Sequence, residues 1–198
     1  MSIRLRWLLA ALIVVVAGVV ALWPRSQDVE PIRSARPAPD LTVLRARAVL
    51  PPCPSAPGRV PAFDGIVVGC LGDGRETALT EVLGPGPVLL NVWATWCQPC
   101  KEELPVLSGY AGEPGAVRVV TIATQSELSG ALELLADLGV RVPSVVDASR
   151  AVEKALNVPA LPATYLVDER GEVRLIGQPR VFRSVEDVRA AVTRGGAR

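Results

Sequence analysis

Histidine is missing altogether from the 198 residues, and its absence removes whole classes of chemistry. A serine or cysteine nucleophile activated by an imidazole base is excluded. So are zinc or copper sites with a histidine ligand, and haem held by histidine. Charge of one sign is equally scarce: 21 Lys and Arg against 20 Asp and Glu leave a net +1. A nucleic-acid partner calls for a strong basic excess, so none is expected. No internal repeat is visible. What remains for demanding chemistry is cysteine, present four times. With 49% hydrophobic residues, the chain can bury one sizeable core beside its appendages.

The first segment is uncharged over a long stretch. Arg4 and Arg6 precede an apolar run from Trp7 to Trp23, which spans roughly 25 Å as a helix, slightly short of a ~30 Å hydrocarbon core. Tryptophans at both ends suit the two interfaces, and arginines before the run favour a cytoplasmic N-terminus for residues 1–6. Two readings stand: a transmembrane anchor over 7–23, or a signal peptide cleaved near Val19-Val20-Ala21. Under either, the remainder faces an extracytoplasmic space. From Pro24 to Pro61 lie nine of the eighteen prolines, the composition of a semi-extended tether, here taken as 24–59. Within it, Asp40 is a candidate N-cap for a short surface helix with Leu41, Leu44 and Ala48 on one face.

After Pro61 the pattern alternates between apolar β-branched runs and helical segments. Pro87–Ala94 and Ala116–Thr124 read as buried strands and Cys97–Ser108 as a helix. Ser126 is a candidate cap for a helix carrying Leu128, Leu132 and Leu135, stopped by Gly139. "VPSVVD" is a short strand, Ala148–Leu156 a short helix, and "ATYLVD" with "EVRLIG" a hairpin. Ser184 caps a final helix. This order predicts an α/β/α three-layer sandwich around a central sheet.

The stretch "NVWATWCQPCKEELP" sets Cys97 and Cys100 at a strand-to-helix junction. A cysteine attacks a disulfide only as thiolate, and unpaired backbone N–H groups at a helix start favour that anion. Cys97 is therefore the expected nucleophile and Cys100, one turn on and more buried, the resolving thiol. Pro99 costs no backbone bond so early in a helix. Other readings compete: a structural disulfide, though so small a loop removes little chain entropy; a four-cysteine zinc site, though Cys53 and Cys70 form no second C-x-x-C; or inert buried thiols. Neither a metal nor a cofactor is called for.

"NVWATWCQPCKEELP" followed by "NVPALPATYLVDERGEV" resembles the membrane-tethered, thioredoxin-like thiol–disulfide oxidoreductases of the TlpA/ResA type, over most of Val60–Arg198. The resemblance implies a thioredoxin fold with a mixed sheet over 60–198, on the outer face of a bacterial membrane. It implies a cis-proline loop facing the redox pair, with Pro162 in that position and Leu161 offering backbone groups to a substrate strand. By spacing alone Pro162 is merely a strand-start proline. Trp96 corresponds to a packing tryptophan near the nucleophile and is assigned with Leu161 and Pro162 to substrate binding; otherwise it is a core aromatic. Pro105 matches a helix-kinking proline. Asn91 stands where thioredoxin has a buried aspartate. Glu103 matches the acidic residue that this family places three positions after the second cysteine. On the same helix face as Cys100, and with its pKa raised by partial burial, it is a candidate to shuttle a proton during resolution, against a plain solvated carboxylate beside Glu102.

Cys53 and Cys70 lie outside this motif. An even cysteine count in an extracytoplasmic chain favours their pairing as a structural staple that pins the tether to the domain edge, with a second redox pair as the alternative. The leading functional reading is a reductase of disulfides in exported proteins, re-reduced by a membrane electron donor. The resemblance adds cytochrome c maturation, with apocytochrome c as a substrate, as one setting. The alternatives are a disulfide-forming oxidant, a thiol peroxidase, against which Ala94 stands where such enzymes carry threonine or serine, and a non-catalytic thioredoxin-like binding protein.

Overall fold

The computed structural model describes residues 3–22 and 39–196, in two units, Met1–Ala38 and Pro39–Arg198. In the first, α1 (Ile3–Leu22) contains the window Arg4–Leu22, 19 residues with a mean hydropathy of 2.5, long and apolar enough to cross a membrane. Trp23, expected at the far interface, and the tether residues 24–38 lie outside the described residues.

The second unit begins with α2 (Leu41–Ala48) and a single 3-10 turn at Pro61–Phe63. Then come β1 (Val67–Cys70), β2 (Glu76–Ala78), α3 (Leu79–Leu83), β3 (Val88–Trp93) and α4 (Gln98–Ala111). β4 (Arg118–Thr124), α5 (Leu128–Asp137), β5 (Ser144–Asp147) and α6 (Ala151–Ala155) follow. The chain closes with β6 (Ala163–Val167), β7 (Val173–Leu175) and α7 (Val185–Arg194). Seven strands form one sheet in the order β2-β1-β5-β4-β3-β6-β7. The β3–β4 and β4–β5 pairs are parallel and the rest antiparallel. The sheet is thus mixed, and with helices on both faces it is the expected thioredoxin-like sandwich.

Both faces are covered, so the central strands are apolar on both sides rather than alternating with polar residues. All six residues of β3 are buried. Leu89 and Trp93 join one core with Leu104 and Leu107 of α4, Leu132 and Leu135 of α5, and Val188 and Val192 of α7. Val88, Leu90 and Val92 join the other with Phe63, Leu79, Val82 and Val152. Asn91 shares the first face and is the one polar side chain of β3, fully buried.

Local signals account for most helix ends. Ser184 accepts from the Asp187 N–H and Asp187 reaches back to Ser184, a complete capping box. Gly139 ends α5 at φ +66°, a backbone position open to glycine at little cost. Two features were not anticipated. The β1–β2 hairpin and α3 are too short to show periodicity. Ser126 does not cap α5: Glu127 holds the N-cap position, and the Ser126 hydroxyl accepts from the Thr95 N–H at 3.0 Å while donating to the Thr124 carbonyl at 2.8 Å.

Residues 39–59, assigned above to the tether, pack within the compact unit. Asp40 caps α2, accepting from Thr42 N at 2.8 Å and Val43 N at 3.4 Å. Ala48 is buried, and Leu41 and Leu44 pack against the core beside α5. Arg47 pairs with Asp137, and Arg45 Nε donates to the Leu71 carbonyl at 3.2 Å. Cys53 and Cys70 form a disulfide with Cα atoms 5.9 Å apart across a sequence separation of 17. Cys70 ends β1, which lies inside β2 in the sheet order, so the pinned point is one strand in from the edge rather than on it.

Closing a loop of that length corresponds to about 3 kcal/mol in the chain-entropy account. Replacing Cys53 and Cys70 together with alanine is expected to lower the urea unfolding free energy by that order. A loss under about 0.5 kcal/mol would mean that apolar contacts alone hold the segment.

Candidate active site

β3 runs apolar through Trp93 and delivers the chain into a short loop, Ala94 to Trp96, before α4 begins. Cys97 occupies the N-cap of α4 with φ −80° and ψ 105°, and Pro99 sits in the first turn. The first amides of a helix lack partners within it, and one of them is turned on sulfur: the Cys100 N–H donates to Cys97 Sγ at 3.3 Å. Cys97 and Cys100 form a disulfide, with Cα atoms 5.3 Å apart. Both are buried, Cys97 3% exposed and Cys100 fully enclosed.

The loop before Cys97 is tied down from the neighbouring strand. Thr95 N–H is satisfied by Ser126, whose hydroxyl is anchored on the end of β4. Ser126 thus holds the redox loop. Sequence reading saw only its capping propensity, because the bond joins positions 31 apart. Trp96 departs from expectation. It is 61% exposed and packs in no core, and the tryptophan that fills the interior is Trp93. Next to the nucleophile, an exposed indole offers apolar contact area to an approaching chain.

On the other side of β3, β6 runs antiparallel with Val92 opposite Ala163. Pro162, buried and preceded by a cis peptide bond from Leu161, therefore lies beside the end of β3 that leads to Cys97. Leu161 is partly buried, between the two cores.

Glu103 follows Cys100 by three positions and is fully buried. Its Oε2 accepts from Asn91 Nδ2 at 2.8 Å and its Oε1 from the Phe182 N–H at 2.9 Å. Asn91 Nδ2 also donates to Thr164 Oγ1 at 2.9 Å. Burial pushes the carboxyl up to about 7, and the bonds from Phe182 and Asn91 pull it back only part of the way. Glu102, its neighbour, is the solvated one and meets Arg183 at 3.3 Å. Phe182 and Thr164 were missed from sequence: the first contributes a backbone amide, which carries no side-chain signal, and the second is an ordinary strand residue.

The other cysteine pair is not part of this cluster. Cys53 Sγ lies 3.6 Å from the carbonyl oxygen of Ser144, the first residue of β5. The redox pair follows the last residue of β3, two strands from β5 and three from β1. Strand spacing alone puts roughly 14 Å between β1 and β3; along the strands Cys70 stands level with Val145, Ile122 and Val92, and the two disulfides belong to opposite cores.

The family model described as AhpC/TSA family matches residues 59–176. The thiol-disulfide oxidoreductase ResA of Bacillus subtilis (strain 168) is 32% identical over 103 residues, covering 51% of this chain and 57% of that protein. The ResA of Geobacillus kaustophilus (strain HTA426) is 36% identical over 108 residues, covering 52% and 60%. The chain thus spans less than two thirds of the length of these relatives. Among solved structures, MTB DsbF in its mixed oxidized and reduced forms superposes with a TM-score of 0.59 at 27% identity, covering 69% of this chain and 98% of that one.

The burial of Glu103 has a pH signature. Its carboxyl, raised from 4.5 to about 7, makes the fold bind a proton that the unfolded chain releases. Stability from this group is full below 4.5 and is lost as pH rises through about 7, a change of about 3 kcal/mol. Glu153, lowered to about 2 chiefly by its hydrogen bond from Arg150, contributes above 4.5 and weakens only at lower pH, outside that window. Urea unfolding of the oxidised protein between about pH 5 and about pH 8 is expected to show the decline, and Glu103→Gln to flatten it. An undiminished slope in that variant would refute the assignment.

Proposed function

The chain belongs to the AhpC/TSA family, and on that premise we propose that it is a thiol–disulfide oxidoreductase. In this reading it reduces disulfides of exported proteins while its N-terminal helix holds it at the outer face of a bacterial membrane. The carrying observation is the N-cap position of Cys97, with the Cys100 amide on its sulfur and a disulfide to a buried partner.

The reduced enzyme presents Cys97 as thiolate, stabilised by the amide and the positive end of α4. The thiolate attacks one sulfur of the substrate disulfide. A Cys97–substrate bond forms, and the other substrate sulfur leaves as thiolate and takes up a proton. Cys100 then surrenders its proton to Glu103, one helical turn away, and attacks Cys97 Sγ. The Cys97–Cys100 disulfide forms, and the second substrate thiolate leaves and is protonated in turn. Two electrons have passed from the enzyme dithiol to the substrate, and a membrane-bound electron donor restores the dithiol. A carboxyl ionising near neutrality suits a proton that must be taken and returned in each cycle.

Trp96, Leu161 and Pro162 form the substrate face, with the backbone beside Pro162 pairing an extended segment of the substrate. Cys53–Cys70 serves as a structural staple. Strong oxidants owe their potential to a stabilised reduced form, so the amide on Cys97 and the carboxyl beside Cys100 pull the potential in opposite senses. A carboxylate forming on the turn after Cys100 works against accumulation of a thiolate there, which supports a reductant. The resemblance to ResA-type proteins supports apocytochrome c, whose haem-attachment cysteines must stay reduced, as one substrate.

Cys100→Ser in the full chain is expected to accumulate exported proteins on Cys97 as mixed disulfides. An absence of captured species, together with slow alkylation of Cys97 at neutral pH, would exclude the activity. Equilibration of the wild type in thiol–disulfide buffers reads direction, and a potential near the roughly −120 mV of strong oxidants would reverse it.

A further inference from the structure

A buried asparagine on a central strand is an expensive choice where leucine or valine would fit. β3 is otherwise apolar, and Asn91 is fully buried among its side chains. Its two amide hydrogens meet two acceptors, Glu103 Oε2 at 2.8 Å and Thr164 Oγ1 at 2.9 Å. Its carbonyl oxygen, Oδ1, is buried with no hydrogen-bond partner among the described residues. Unpaired buried acceptors are uncommon and call for an account.

The arrangement serves an ionised Glu103 and fails a protonated one. Oε1 faces the Phe182 N–H, which can only donate, so the proton of the neutral acid must sit on Oε2. There it would point at Nδ2–H, donor against donor. A half-turn of the Asn91 amide about its terminal torsion, one of the soft side-chain torsions, removes the conflict. Oδ1 then takes the place of Nδ2 and accepts from both the Glu103 hydroxyl and the Thr164 hydroxyl, filling its two lone pairs, while the Nδ2 hydrogens move to the place where Oδ1 has no partner among the described residues. Thr164 suits both states, since a hydroxyl donates or accepts as required. It lies directly opposite Asn91 in the β3–β6 register, and so keeps its distance from the amide.

We propose that Asn91 is a positioning residue whose side-chain amide reverses with the ionisation of Glu103, giving each state a matched partner, and that Thr164 completes both arrangements. The inference rests on the reading of Glu103 as the group that takes the Cys100 proton. Because Thr164 stands on β6 two residues after Pro162, the proton on Glu103 is registered in the hydrogen bonding of the strand that follows the substrate-facing loop.

Charged groups around Glu103 do not take over this role. On α4, Lys101 is partly buried and Glu102 meets Arg183. On the loop from β7 to α7, Arg180 is exposed, and Asp187 of α7 accepts from the N–H groups of Arg183 and Ser184. β3 and β6 bring no charged residue, and the Tyr165 ring belongs to the opposite core.

Side-chain amide resonances of Asn91 in the full chain, held in detergent and oxidised, provide the test. They are expected to titrate with the same midpoint as the Glu103 carboxyl carbon. Asn91→Leu is expected to raise that midpoint by about one pH unit, roughly tenfold in proton affinity, because the carboxylate loses a donor. Thr164→Val, close in shape but without the hydroxyl, raises it less: Nδ2–H loses an acceptor in the ionised state while Oδ1 keeps the Glu103 hydroxyl in the other. Asn91 resonances that stay constant through the Glu103 titration overturn the proposal, as does an unmoved midpoint in Asn91→Leu. The underlying reading fails separately. In that case Glu103→Gln leaves the rate of mixed-disulfide resolution and its pH profile unchanged, while Asn91 still titrates with Glu103 in the wild type.

Discussion

A backbone amide with no helical partner, aimed at a sulfur atom, is the constraint on which the rest of this molecule depends. The first N–H groups of α4 need acceptors, and placing Cys97 at the N-cap lets its sulfur be one of them. Everything around that contact keeps it in place. β3 is buried on both faces and cannot shift without opening two cores. Ser126 holds Thr95, two residues ahead of the sulfur, by a bond from the adjacent strand. α4 is itself pinned by Leu104, Leu107 and Tyr110 in the core it shares with α7.

A second constraint acts on protons rather than on sulfur. Glu103 is a carboxyl placed in a core with no cation paired to it among the described residues, held by one amide side chain and one backbone N–H. Desolvation dominates and raises its proton affinity into the neutral range. The fold carries the cost of that burial as lost stability at higher pH, a trade of the kind found where a site's chemistry outranks packing. The two constraints meet on one helix, where Cys100 and Glu103 stand three residues apart on α4.

Legibility from sequence followed the range of the interactions. The C-x-x-C motif of Cys97 and Cys100, the strand before it and the helix after it were plain, as was the closing helix with its Ser184 cap. The hairpin β6–β7 was visible because two strand-forming runs flank a short turn at Glu169-Arg170-Gly171. By contrast, β1 and β2 have four and three residues, too few for a period. Trp96 and Trp93 could not be told apart by residue type, since which of them fills the core depends on where β3 ends. Ser126 carried a true local preference that a distant backbone amide overrode.

The sequence by itself determined that the chemistry is that of a cysteine pair at a helix start, that an apolar helix precedes the domain, and that the domain is a layered α/β sandwich. Each follows from residues close in the chain: a two-residue cysteine spacing, an uncharged run, alternating strand and helix patterns. Only the tertiary structure decided that Glu103 is buried rather than solvated like Glu102. It alone supplied the partners of Glu103 and Asn91, Phe182 at a separation of 79 and Thr164 at 73. A carboxyl's proton affinity depends on what surrounds it in space, and those surroundings are assembled from strands and loops far apart in the chain.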